Sequence, residues 1–232
     1  MMKRILTGIL LLSVALLVLG ACSNDSSKGN TEKENKGDLV ATVDGEGISK
    51  QQYEKELEVM KATYEQQGMP ADQMDKKQKE ELEKSVLEQM INAELLLQIA
   101  EKDGISIEDK EVDAELEKIK ANFEDEKQFE EALKKNEMTE KELKSQLKKQ
   151  LTVNKYLDSK IGKIEATDEE IKVNYDQYKE IVKGQEQEPE ELEKVKAQLE
   201  QQIIAEKENE KISKLVEKLR KENEDKIKII EA

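Results

Sequence analysis

The chain has no histidine and no tryptophan, a single cysteine, two prolines and two phenylalanines. Without histidine there can be no Ser-His-Asp triad, no Cys-His pair and no imidazole ligand for a metal. Aromatic residues make up 3% of the sequence, too few for a platform on which bases or sugars stack. Positive charge is also in deficit. Thirty-nine Lys and Arg stand against 54 Asp and Glu, and a net charge of −15 excludes a nucleic-acid binder built on a basic surface. The calcium-loop, phosphate-cradling and Gly-x-Ser-x-Gly patterns are missing as well. The expectation is a protein with no cofactor, no metal, no nucleotide and no catalytic residues.

What the chain does contain is Lys, Glu, Gln and Leu, the composition of long helices. Disorder is the competing reading, because 40% of the residues are charged. From Cys22 onward 45 of 211 residues are Leu, Ile, Val or Phe, just above the level that marks disordered chains. Their placement decides the matter: they recur at helical spacing between recognisable caps, which predicts a folded, mostly helical and elongated body.

The first 21 residues read as a signal peptide rather than as part of the fold. Lys3 and Arg4 precede an apolar run from Ile5 to Leu19, which is short for a membrane-spanning helix. Leu19-Gly20-Ala21-Cys22 follows and resembles the lipobox of bacterial lipoproteins. That resemblance implies diacylglyceryl modification of Cys22 and cleavage just before it. Two or more acyl chains anchor a protein stably. The expected location is therefore the extracytoplasmic face of a cell membrane. Ser23 to Asp38 has no large apolar residue and reads as a flexible linker. Residues 39–232 are then the folded domain, and loss of Lys3 and Arg4 takes the charge from −15 to −17.

Within that domain, Leu39 to Val43 is a β-type run closed by Asp44-Gly45. Ser49 with Gln52 forms a capping box that opens a helix from about Ser49 to Gln67, with Ile48 stapled on Tyr53. Gly68-Met69-Pro70 breaks it. A second helix, roughly Ala71 to Asp103, carries the densest apolar face in Leu82, Val86, Met90, Ile91, Leu95, Leu97 and Ile99. Further helices are expected after Ser106, through Phe129, after Thr139 and after Thr167, and a last one from Pro189 to about Asp225. Ile227, Ile229 and Ile230 read as a short strand. Because a lone strand cannot satisfy its backbone, that strand is expected to pair with Leu39 to Val43. The fold class is thus all-α and multihelical, with a minor two-stranded β element joining the N- and C-terminal ends.

Acidic runs such as Asp168-Glu169-Glu170 and Glu190-Glu191 read as first-turn residues favouring a helix N-terminus rather than as paired catalytic carboxylates. Tyr53, Met60, Tyr64, Met69 and Met74, with Met90, cluster in the first two helices, and methionine adapts to many shapes. Tyr53, Met60, Tyr64, Met69 and Met74 are the candidate residues for contact with polypeptide clients. Core filling is the plainer assignment for the same side chains.

Ala41 to Tyr53, ATVDGEGISKQQY, resembles the opening strand, turn and capped helix of the SurA and PrsA group of exported chaperones. Leu87 to Ile105, Phe129 to Glu140 and Ala166 to Tyr175 are similar to later elements of that group, in the same order. The resemblance implies a SurA N-terminal-like helical chaperone scaffold over about Leu39 to Ala232. Members commonly insert a parvulin-type prolyl isomerase domain, which uses histidine, between the segment matching Tyr178 and the last long helix. Here only Lys179 to Glu188 stands there, too short for a domain. The expected function is a membrane-tethered folding factor that binds unfolded or newly exported polypeptides without isomerase activity. The alternative is an assembly lipoprotein whose long helices bind one fixed envelope partner.

Overall fold

β1 (Leu39–Val43) is the central strand of a three-stranded antiparallel sheet, with β2 (Glu46–Ser49) on one side and β3 (Ile227–Ile229) on the other. The computed structural model describes residues 39–136 and 138–230. The signal peptide, Cys22 and the linker expected from the sequence lie outside the described residues. The expected pairing of the two chain ends is present: Ala41 faces Ile229, Thr42 faces Lys228 and Val43 faces Ile227. The sheet has three strands rather than two because Asp44 and Gly45, at φ 48° and 95°, turn the chain straight back into a hairpin. Ser49 ends β2 and caps the next helix at once, its hydroxyl accepting from the Gln52 amide at 3.2 Å.

The described chain forms two compact units, one of residues 39–156 with 219–230 and one of residues 157–218. In the first, α1 (Lys50–Gln66) and α2 (Lys76–Lys102) pack on the sheet and on each other. The expected start of the second helix at Ala71 is corrected. Residues Ala71–Gln73 form one 3-10 turn, and α2 begins after Asp75, which exchanges two hydrogen bonds with Gln78 in a capping box. Val86 and Ile91 are fully buried, Leu96 and Ala100 join the predicted face, and Ile99 is only half-buried. Gln98 ties α2 to the sheet by donating to the Val43 carbonyl at 2.8 Å. Arg220 does the same for the C-terminal segment, pairing with Glu88 and donating to Asn92 Oδ1 at 2.8 Å.

A second core in the same unit lies between α3 (Asp109–Lys120), α4 (Glu126–Lys135) and α5 (Glu140–Ile161). Ile107, Val112, Leu116, Phe129, Leu143 and Leu147 are its buried members. Phe123 meets Phe129 edge-on at 5.6 Å between ring centroids. Thr139 and Glu142 form the capping box predicted for α5.

In the second unit, α6 (Asp168–Gly184) starts at the predicted Thr167–Glu170 box, and α7 (Leu192–Glu222) begins there and ends in the first unit. Pro189 does not lie in the first turn of α7, as the sequence suggests. The Tyr175 hydroxyl donates to the Glu190 carbonyl at 2.9 Å, and the Glu190 amide donates to the Tyr178 hydroxyl at 3.3 Å, so two tyrosines hold that peptide outside the helix. Gly184 belongs to α6, and the left-handed residue that ends it is Glu186 at φ 59°. Lys207 donates to both oxygens of Glu170, at 2.8 and 2.9 Å, and to the Glu165 carbonyl at 2.9 Å. With the Thr167 amide this pulls the Glu170 carboxyl down to about 2.

Truncation after Asp225 removes β3 and Lys226, whose carbonyl accepts from the Asp44 amide at 3.0 Å. The Asp44 amide and the amides of residues 40–43 should then exchange faster by hydrogen–deuterium mass spectrometry. Unchanged protection would mean that the hairpin does not depend on its third strand.

Candidate functional site

The five residues singled out from the sequence fall into two groups. Tyr64, Met69 and Met74 come together around one pocket with a volume of about 450 Å³, whereas Tyr53 and Met60 lie outside its lining. The pocket exists because α1 stops abruptly. Gly68 takes φ 80°, and its amide donates to the Glu65 carbonyl at 3.0 Å. The Met69 amide donates to the Tyr64 carbonyl at 2.9 Å. These two bonds make a Schellman motif that satisfies the last carbonyls of the helix. Only glycine enters that conformation without strain. Pro70 then prevents helix from resuming at once, and Met69 is left 49% exposed at the corner.

Pro70, Met74 and Leu82 continue the apolar lining, and Gln73, Gln78, Glu81 and Ser85 form its polar part. Leu82 anchors the floor, being 7% exposed and part of the α2 core. Among the described residues Glu81 is the only charged one in the lining. Its partner Lys77 stands 3.6 Å away one turn earlier, with both side chains mostly exposed. Such a pair contributes about 0–1 kcal/mol and leaves the carboxylate open to competitors.

Tyr53 braces the two helices from further back. Its hydroxyl donates to the Glu83 carbonyl at 3.3 Å, and burial, with the Glu83 carboxylate second, raises its pKa above the ordinary phenol value. Met60 is half-buried on the same helix. Glu56 is a residue that sequence reasoning missed. It sits three residues after Tyr53 and four before Met60, is 4% exposed, and its Oε1 has no hydrogen-bond partner. Burial alone pushes its carboxyl from 4.5 up to about 7. A glutamate in so charged a helix carries no mark that distinguishes the one facing inward. The polar lining residues Gln73, Gln78, Glu81 and Ser85 are equally silent, whereas the Gly-Met-Pro break was the legible signal.

Among the described residues no group of three or more acidic or cysteine side chains is placed to hold a metal, and no helix is long and apolar enough to cross a membrane. The pocket offers flexible thioethers, one ring, one proline and a single anion, a chemistry of adaptable binding.

Glu56 generates a pH dependence with a definite sign. Its folded pKa of about 7 lies above the ordinary 4.5, so between those values the folded protein holds a proton that the unfolded chain releases. Stability from this residue should therefore fall as pH rises from about 4.5 to 7 and then level off. Glu56→Gln should flatten that slope and stabilise the protein at pH 8 by up to roughly 3 kcal/mol, at about 1.36 kcal/mol per pKa unit. Urea denaturation at pH 5 and pH 8 measures it. Equal losses between the two pH values in wild type and variant would contradict the assignment.

Among known proteins, the SurA-like N-terminal domain model matches residues 1–157. No curated protein matches the chain, and no solved structure does.

Proposed function

The chain belongs to the SurA-like N-terminal domain family, and from that premise we propose that it is a membrane-tethered extracytoplasmic folding factor that binds unfolded or newly exported polypeptides. The observation that carries this reading is the pocket at the α1–α2 corner, where Tyr64, Met69 and Met74 meet at the surface. Methionine is unbranched and polarisable, so such a surface rewards many client shapes modestly rather than one shape strongly. Weak, tolerant binding suits a chaperone that must also release its clients. The net charge of −15 keeps a complex with exposed apolar segments in solution.

On this reading the protein works without prolyl isomerisation. Residues 185–191 alone connect α6 to α7, the place where members of the group commonly carry a parvulin domain, and the chain has no histidine. Tethering is assigned to Cys22 through the lipobox Leu19-Gly20-Ala21-Cys22. Cys22→Ala should move the protein from the membrane fraction to the soluble fraction or leave an uncut precursor. Processing and retention equal to wild type would remove the anchor from the proposal.

The chaperone reading is tested by light scattering. A denatured secreted protein is diluted into a stoichiometric amount of the lipid-free chain. Aggregation should be delayed for several unrelated clients, and Met69→Ser with Met74→Ser should shorten the delay at least twofold. No delay for any client, together with stoichiometric capture of one native envelope protein, would support the assembly lipoprotein instead.

A further inference from the structure

We propose that the α1–α2 pocket selects extended client segments in which a bulky apolar side chain stands next to a lysine or arginine. This rests on the reading of the pocket as a polypeptide site and names its preferred ligand. A volume of about 450 Å³ lies within the ~300–1,000 Å³ of ordinary ligand clefts and accommodates a large side chain with part of its backbone. Tyr64, Met69, Pro70, Met74 and Leu82 supply apolar surface. Thioether sulfurs also favour aromatic ring edges, so phenylalanine and tyrosine are good occupants.

The basic neighbour follows from charge. Among the described residues Glu81 is the sole charged group in the lining, and no lysine or arginine lines the pocket. Lys77, outside the lining, pairs with it at 3.6 Å with side-chain exposures of 83% and 66%, so this solvent-screened pair is easily exchanged for a better one. In an extended segment successive side chains point to opposite faces. When an apolar side chain enters the pocket, its neighbour therefore points out toward the rim, where a long lysine or arginine can bend back to the Glu81 carboxylate. An acidic neighbour would meet the same carboxylate with repulsion. The net charge of −15 acts in the same direction at longer range and raises the encounter rate of basic segments.

The test is fluorescence anisotropy of labelled nonapeptides against the lipid-free full chain at low and at physiological salt. Four peptides share a serine and glycine frame and carry Lys-Phe-Lys, Ser-Phe-Ser, Glu-Phe-Glu or Lys-Ser-Lys at the centre. Lys-Phe-Lys should bind tightest, with Ser-Phe-Ser roughly fivefold weaker and the other two weaker still. Glu81→Lys should reverse the order of Lys-Phe-Lys and Glu-Phe-Glu, while Glu130→Lys, an equal charge change on the exposed face of α4, should leave it unchanged. Met74→Ser should weaken all three phenylalanine peptides. If Lys-Phe-Lys, Ser-Phe-Ser and Glu-Phe-Glu bind equally, the basic preference is wrong and the client-binding reading survives. If Glu130→Lys also reverses the order, the preference belongs to overall charge and not to the pocket. If no peptide binds while aggregation is still delayed, the pocket is not the client site. Absence of both effects removes the reading and the inference together.

Discussion

The pairing of β1 with β3 is the constraint on which the first unit depends. Residues 39–43 and 227–229 lie about four-fifths of the chain length apart, and closing so long a loop is entropically unfavourable unless the contact is strong. Several interactions act at that junction together. Val40, Ala41 and Val43 are buried to within 4% exposure, the Asp44 amide reaches the Lys226 carbonyl, and Gln98 of α2 caps the Val43 carbonyl. Arg220 adds a partly buried pair with Glu88, so the C-terminal segment is held by α2 as well as by the sheet. Because α1 begins at Lys50, directly after β2, and α2 packs on β1, the sheet also fixes the two helices that build the pocket.

With so few apolar residues, this protein leaves little to spare at its surface. Val59, Met69, Val173, Ile181 and Ile229 are its exposed large hydrophobic side chains among the described residues. Scattered exposed side chains need no explanation. Met69 differs because the helix break that exposes it also opens a cavity beside it, lined by further apolar side chains. The many ion pairs elsewhere, such as Lys144 with Asp113 and Lys148 with Asp109, join neighbouring helices but are largely solvent-exposed. Each contributes little on its own, and the stability of the unit rests on the sheet junction and the two small cores.

Much of this architecture is legible in the sequence, for definable physical reasons. Capping boxes at Ser49, Thr139 and Thr167 announce helices because side chain and backbone satisfy each other over four residues, without tertiary context. Pairing of the ends is legible because the sequence shows only two strand-like runs, and a strand without a partner cannot satisfy its backbone. What escaped depends on distant contacts. β2 is hidden because Ser49 serves a strand and a helix at once, and the delayed start of α7 depends on two tyrosine hydroxyls from α6. At the site, the Gly68-Met69-Pro70 break marks where an opening forms. Which side chains face it is a tertiary outcome, so Tyr53 and Met60 fall outside the lining while Gln73, Glu81 and Ser85 fall within it. Glu56 is the clearest case: only the fold reveals that one glutamate among many is buried without a partner for one of its oxygens.

The central claim is that unfolded polypeptide is held at the α1–α2 corner, and site-specific photocrosslinking tests it most directly. A photoreactive phenylalanine analogue is placed singly at positions 69, 74, 130, 173 and 181, and each lipid-free variant is irradiated with a denatured secreted protein. The account predicts adducts at 69 and 74 that are at least severalfold more abundant than at the other three positions. Adducts spread evenly over all five, or concentrated at 173 and 181 on α6 with none at 74, would contradict it.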